Sequence, residues 1–175
     1  MTVETVFSTP WFSIEAITLP GGDPAALPYY SFTAQNGALV VPVTPAGELV
    51  LIRQYRPVLG RWTLEFPAGG VDPGETAETA IARELLEETG YRCAELMEVY
   101  QGPLRPERET MTNHFFLGVG AERLPGPSVE KEFDVVLLTP KAFREEVLAG
   151  RFDHVAALPV LTLAQWRFGF TLPGL

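Results

Sequence analysis

A single mixed α/β domain with a partly antiparallel sheet is the fold class this sequence predicts, on three observations. Its 175 residues and 46% hydrophobic content suit one globular unit that buries a real core. The first half is dense in strand signals punctuated by Pro/Gly turns, which disfavours an all-parallel sheet. One long helical pattern follows, with a capping residue at each end.

The elements follow in chain order. "WFSIEAITLPGGDPAALPYYSFTAQ" alternates apolar and polar residues around a turn cluster and predicts two strands and a loop. "GALVVPVTPAGELVLIRQYRP" predicts a strand, a Pro-Ala-Gly turn and a second strand in a hairpin. "TLEFPAG" is a short strand running into a glycine pair. In "GVDPGETAETAIARELLEETGY" a loop precedes a helix with Thr76 as N-cap and Gly90 as the glycine that stops it. Further strands are expected at Cys93 to Tyr100, Thr112 to Val119 and Phe133 to Leu138, and helices at Pro140 to Ala149 and Val155 to Trp166. No internal repeat or long polar linker breaks the chain.

A formal net charge of -9 argues against a protein that tracks a nucleic-acid backbone, while a dication in a local pocket reconciles an acidic chain with a phosphorylated small molecule. The lone Cys93 excludes an internal disulfide and reads as a small buried hydrophobe. "MTVETVFSTPW" carries no basic segment followed by an apolar run, and no stretch approaches about 18 apolar residues, so a cytoplasmic location without membrane contact is expected.

The most informative segment is "RELLEETG", residues 83 to 90. With about 3.6 residues per turn, Glu84 and Glu88 stand one above the other with Glu87 beside them. On the wheel Ile81, Ala82, Leu85 and Leu86 gather on the side away from Glu87, ready to dock on a sheet, and Ala77 and Ala80 lie close to the acidic line. A solvated face with an Arg83/Glu87 pair explains the charge but not its place, because the C-terminal turns of a helix favour cations. Bound Mg²⁺ or Mn²⁺ converts the repulsion into coordination.

From Gly69 the sequence runs to Glu75, then to Arg83-Glu84-Leu85, Glu87-Glu88, Gly90 and Tyr91, which resembles the Nudix box at every fixed position. The resemblance implies an α/β/α sandwich with a mixed sheet. Residues 1–36 would be an N-terminal antiparallel strand extension that joins a homodimer interface, and 37–175 the Nudix domain. It implies Glu84 and Glu88 as direct metal ligands, Glu87 as a further or outer ligand, and Arg83 as the residue that orients them. Glu75 would reach the metal or stabilise the loop, and Gly69 would let the loop backbone come close.

"LIRQYRP", "LEFPAGG" and Pro106 beyond the box resemble the ADP-ribose pyrophosphatase branch. That implies the Ala68 carbonyl as a third metal ligand, Arg56 as a phosphate contact and Glu65 as a substrate contact. "LRPERE" departs from the Ser-Pro-Gly turn common there; Arg105 becomes a substrate-binding candidate, and with Glu107, Arg108 and Glu109 it reshapes the pocket. The general base resembles a glutamate in a loop before a late strand, either Glu130 or Glu132, with Glu87 next in line.

The function implied is hydrolysis of the diphosphate in ADP-ribose or a related nucleoside diphosphate sugar to a nucleoside monophosphate and a sugar phosphate. Alternatives are a GDP-mannose or broad nucleotide-sugar hydrolase and a non-catalytic nucleotide sensor; an isopentenyl diphosphate isomerase is disfavoured by the lone Cys93. His114 and His154 read as strand or helix-end residues. Trp11, Tyr29, Tyr30 and Phe32 read either as a stacking platform or as packing.

Overall fold

Strand β4 (Gly37–Val43) is apolar on both faces because both are covered. Ala38 and Val40 point to one core, with Val50, Ile81, Leu85 and Phe116. Leu39, Val41 and Val43 point to the other, with Leu51, Phe66, Phe143 and Val160. The computed structural model, which describes residues 1–21, 28–126 and 129–174, therefore stacks helices on both sides of a central sheet.

The remaining strands are β1 (Thr2–Ser8), β2 (Phe12–Thr18), β3 (Tyr29–Ala34), β5 (Leu49–Arg56), β6 (Arg61–Glu65), β7 (Ala68–Gly70), β8 (Tyr91–Arg92), β9 (Glu95–Gly102), β10 (Asn113–Val119), β11 (Glu122–Arg123) and β12 (Asp134–Leu138). The helices are α1 (Ala77–Thr89), α2 (Pro140–Leu148) and α3 (Pro159–Phe168). The central sheet runs β12-β5-β4-β10-β9, with β6 beside β5 and β7 beside β4. Only β4 and β10 pair in parallel within it, so the sheet is mixed. Strands β1, β2 and β3 form an antiparallel sheet of their own.

The expected β4/β5 hairpin closes as predicted around Gly47, whose φ of 81° suits glycine and whose N–H donates to the Thr44 carbonyl. It then splits. Val43 and Leu49 are the one registered pair, after which β7 takes the edge of β4 and β6 takes β5. This fork brings the side chains of Arg56 from β5 and Glu65 from β6 to the start of β4, where the candidate site lies.

Other differences have local causes. β1 is a strand that the sequence does not announce, because its seven residues are all exposed and lack an inward face. The segment from Val155 is one 3-10 turn over Val155–Ala157 and then α3, since Pro159, at the first position of α3, has no N–H to carry the bonding on from the turn. On α1, Ala82 is exposed and Leu86 only half-buried, whereas Ala80 and Glu88 are buried. Ile81 and Leu85 dock as expected, and the acidic line turns inward beside them, with Glu88 buried against Ala68. The Pro/Gly loop between β2 and β3 lies in part outside the described residues. No helix among the described residues is long and apolar enough to cross a membrane.

Candidate active site

Helix α1 is fixed at both ends by its own chemistry. Thr76 Oγ1 accepts from the Thr79 N–H at 3.1 Å, and Gly90, at φ 72°, donates to the Leu86 carbonyl. Between the caps, Ile81 and Leu85 anchor the helix in the core and aim Glu84 and Glu88 at β7. A Cβ on Gly69 would overlap the Glu84 carboxylate, so glycine at 69 is what allows this approach.

Glu88 is 5% exposed and accepts the Ala68 N–H at 3.2 Å. Burial, reinforced by the charges of Glu84 and Glu65, pushes its carboxyl up to about 8 against the opposing effects of Ala68 and Arg56. Burial likewise raises Glu84; Arg83 opposes that, and Glu87 and Glu130 add to it. Arg83 holds the set together. Its guanidinium donates to Glu75 at 3.3 and 3.2 Å, to Glu84 at 2.8 Å, to Glu87 at 3.1 Å and to the Gly70 carbonyl at 3.3 Å. Bonds from Glu75, then Glu84, hold the Arg83 pKa above its ordinary value.

Two carboxylates that burial makes reluctant to ionise, packed on a glycine backbone, fit a hard dication in both donor chemistry and charge. Among the described residues no three His, Cys, Asp or Glu side chains gather as a ready cation site. A cation here would therefore use Glu84 and Glu88 together with backbone oxygen.

Beside this cluster lies a cavity of about 230 Å³, lined by Arg56, Glu65, Ala68, Gly69, Asn113 and His154 among others. Arg56 closes a fork on Glu65 with bonds of 2.9 and 2.7 Å, and Thr63 donates to the same carboxylate at 2.7 Å. Burial pushes Glu65 up, but the bonds from Arg56 and Thr63 outweigh it and hold the carboxyl below its usual value.

A model of the NUDIX domain matches residues 33–159, more than half of the chain. The chain belongs to the Nudix family. An ADP-ribose pyrophosphatase of Bacillus subtilis is 32% identical over 122 residues, covering 69% of this chain and 63% of that protein. An ADP-sugar pyrophosphatase of Mus musculus is 52% identical over 44 residues, covering 25% of this chain and 20% of that one. The chain thus spans less than two thirds of the length of these relatives. A solved structure described as an ADP compounds hydrolase has the same fold, with a TM-score of 0.73 at 24% identity over 97% of this chain and 93% of that one.

In this Nudix protein the fold gathers Arg56, Glu65, Ala68, Arg83, Glu84, Glu87 and Glu88 around one corner of the sheet. Glu130 joins them: its N–H donates to the Glu87 carbonyl at 3.1 Å, and its charge acts on Glu84. Glu132 is exposed. Arg105 stands apart, with a side chain 60% exposed and bound to Glu109 at 2.6 Å. Burial pushes the half-buried Cys93 thiol up to about 12, which fits an inert residue. Trp11, Tyr29 and Tyr30 are exposed, and Phe32 packs on Phe12 with ring centroids 5.1 Å apart.

His114 is a strand residue whose Nδ1 meets Glu98 at 2.6 Å. His154 does stand just before the 3-10 turn, but its ring forms part of the cavity wall beside Arg56 and Glu65. Asn113 enters the same wall from β10. No local motif marks either residue; each reaches the cavity through pairing or packing distant in sequence.

Proposed function

We propose that this Nudix domain hydrolyses the diphosphate of ADP-ribose or a related nucleoside diphosphate sugar, with Mg²⁺ or Mn²⁺ as cofactor, giving a nucleoside monophosphate and a sugar phosphate. One observation carries the reading: the half-buried Glu84 and the buried Glu88 adjoin, through Ala68 and Gly69, a cavity containing the Arg56–Glu65 pair. A site for hard cations thereby meets a guanidinium that suits phosphate. The names carried by the Bacillus subtilis and Mus musculus relatives support the same substrate class.

Glu84, Glu88 and the Ala68 carbonyl would hold the cation, which when bound neutralises charge on the diphosphate and activates water. Arg83 holds the Glu84 and Glu87 carboxylates in place, and Glu65, by taking the Nε and Nη2 of Arg56, would orient the remaining Nη1 for a phosphate. Glu130 is the better general base of the two loop glutamates, because its backbone is tied to α1 and its charge reaches Glu84. A cytoplasmic homodimer completes the proposal: Val3, Phe7, Trp11 and Leu19 leave the small sheet with exposed apolar surface that a second copy would cover. A panel of nucleoside diphosphate sugars with Mg²⁺, read by product mass, tests the activity; cleavage of none of them would overturn it.

A further inference from the structure

The cavity beside Glu65 contains an unmet demand for hydrogen bonds. The Nδ1 of His154 and the Nδ2 of Asn113 are both buried and lack a partner among the described residues. Buried polar atoms are nearly always paired, so two orphans in one wall call for an explanation. They come from separate parts of the fold. Asn113 lies in β10 opposite Gly37 of β4, with its carboxamide oxygen packed where a Cβ on Gly37 would crowd it. His154 leads into the 3-10 turn before α3.

We infer that Asn113 and His154 recognise hydroxyl groups of the sugar attached to the diphosphate, and so set which sugar is accepted; this rests on the hydrolase reading above. A carboxamide N–H donates to a hydroxyl oxygen, and a neutral imidazole accepts from or donates to a hydroxyl according to its tautomer. Burial, which holds the His154 pKa below its ordinary value, agrees with a neutral ring there. Both atoms are closed off from solvent, but the outer torsions of Asn and His are broad, and a turn of either group would present the atom to a ligand. At about 30 Å³ per water, the cavity of about 230 Å³ has room for roughly seven waters or one monosaccharide ring. Among the apolar residues of this wall, Arg56, Glu65, Asn113 and His154 offer polar partners that a hydroxyl-bearing ring can use. The adjoining cavity of about 370 Å³, lined by Tyr100, Leu104, Phe115, Val160 and Leu163, is apolar by contrast.

The test compares ADP-ribose with the methyl ester of ADP, which keeps the diphosphate but has no hydroxyls beyond it. Sites built to bond a hydroxyl discriminate strongly against analogues that lack it. Asn113→Ala and His154→Ala should each lower the ratio of kcat/KM for ADP-ribose over the methyl ester at least fivefold; a smaller fall overturns the assignment. Asn113→Leu and His154→Phe keep the bulk and give the same reading if an alanine variant does not fold. If the wild type cleaves neither compound nor any other nucleoside diphosphate sugar of the panel, the hydrolase reading fails. The ratio of calorimetric Kd values for the two compounds, in wild type and variants, then judges the subsite by the same fivefold criterion.

Discussion

The carboxylate of Glu84 occupies the space that a Cβ on Gly69 would need. A glycine in the loop and a glutamate on the helix, fifteen positions apart, thus form one steric unit. Gly69→Ala should push Glu84 aside while the rest of the helix, anchored by Ile81 and Leu85, stays in place. The expected outcome is a loss of turnover on the order of 100-fold with a melting temperature close to wild type, as small misplacements of catalytic groups have that cost. Steady-state kinetics beside a thermal melt checks it.

Glu88 gives a pH-dependent prediction for protein in chelated buffer. Its folded pKa of about 8 lies above the ordinary 4.5, so between these values the folded state holds a proton that the unfolded state has lost. The stability associated with Glu88 is complete below about 4.5 and is lost as pH rises through 8. Glu88→Gln should therefore flatten the decline of melting temperature over this window, and it should also cut Mg²⁺-dependent turnover by orders of magnitude. A variant with the same pH slope as wild type would count against the burial argument.

The reach of the sequence followed the range of the interactions. Thr76 and Gly90 bound α1 as expected because both caps are local bonds, and the box glutamates cluster because one helix carries them. The fork between β4 and β5 depends on which strands later take their edges, and no local pattern states that. Ala82 was expected on the docking side yet is exposed, because the helix turns its acidic line toward the sheet, against the usual preference for solvated charge. His154 and Asn113 stayed hidden because they enter the cavity from segments 41 positions apart.

The two loop glutamates should behave differently. Glu130, tied to the end of α1, should lose kcat by about 10² to 10⁴ as Gln, the size of general-base help, with little change in substrate binding. Glu132→Gln should stay near wild type. Equal effects in the two variants, seen in single-turnover rates, would remove the distinction drawn from the backbone tie.

The exposed apolar residues of the small sheet predict assembly. Light scattering at micromolar concentration should give twice the mass of the 19.2 kDa chain, and Phe7→Glu with Val3→Glu should shift it toward monomer. A wild type that scatters as a monomer contradicts this.

The most direct measurement of the central claim is the mass of the products formed from ADP-ribose and Mg²⁺, with Glu84→Gln protein as the control. The account predicts AMP and ribose 5-phosphate from the wild type at a rate orders of magnitude above the variant. Equal product from both proteins, or none from the wild type on any nucleoside diphosphate sugar, would contradict it.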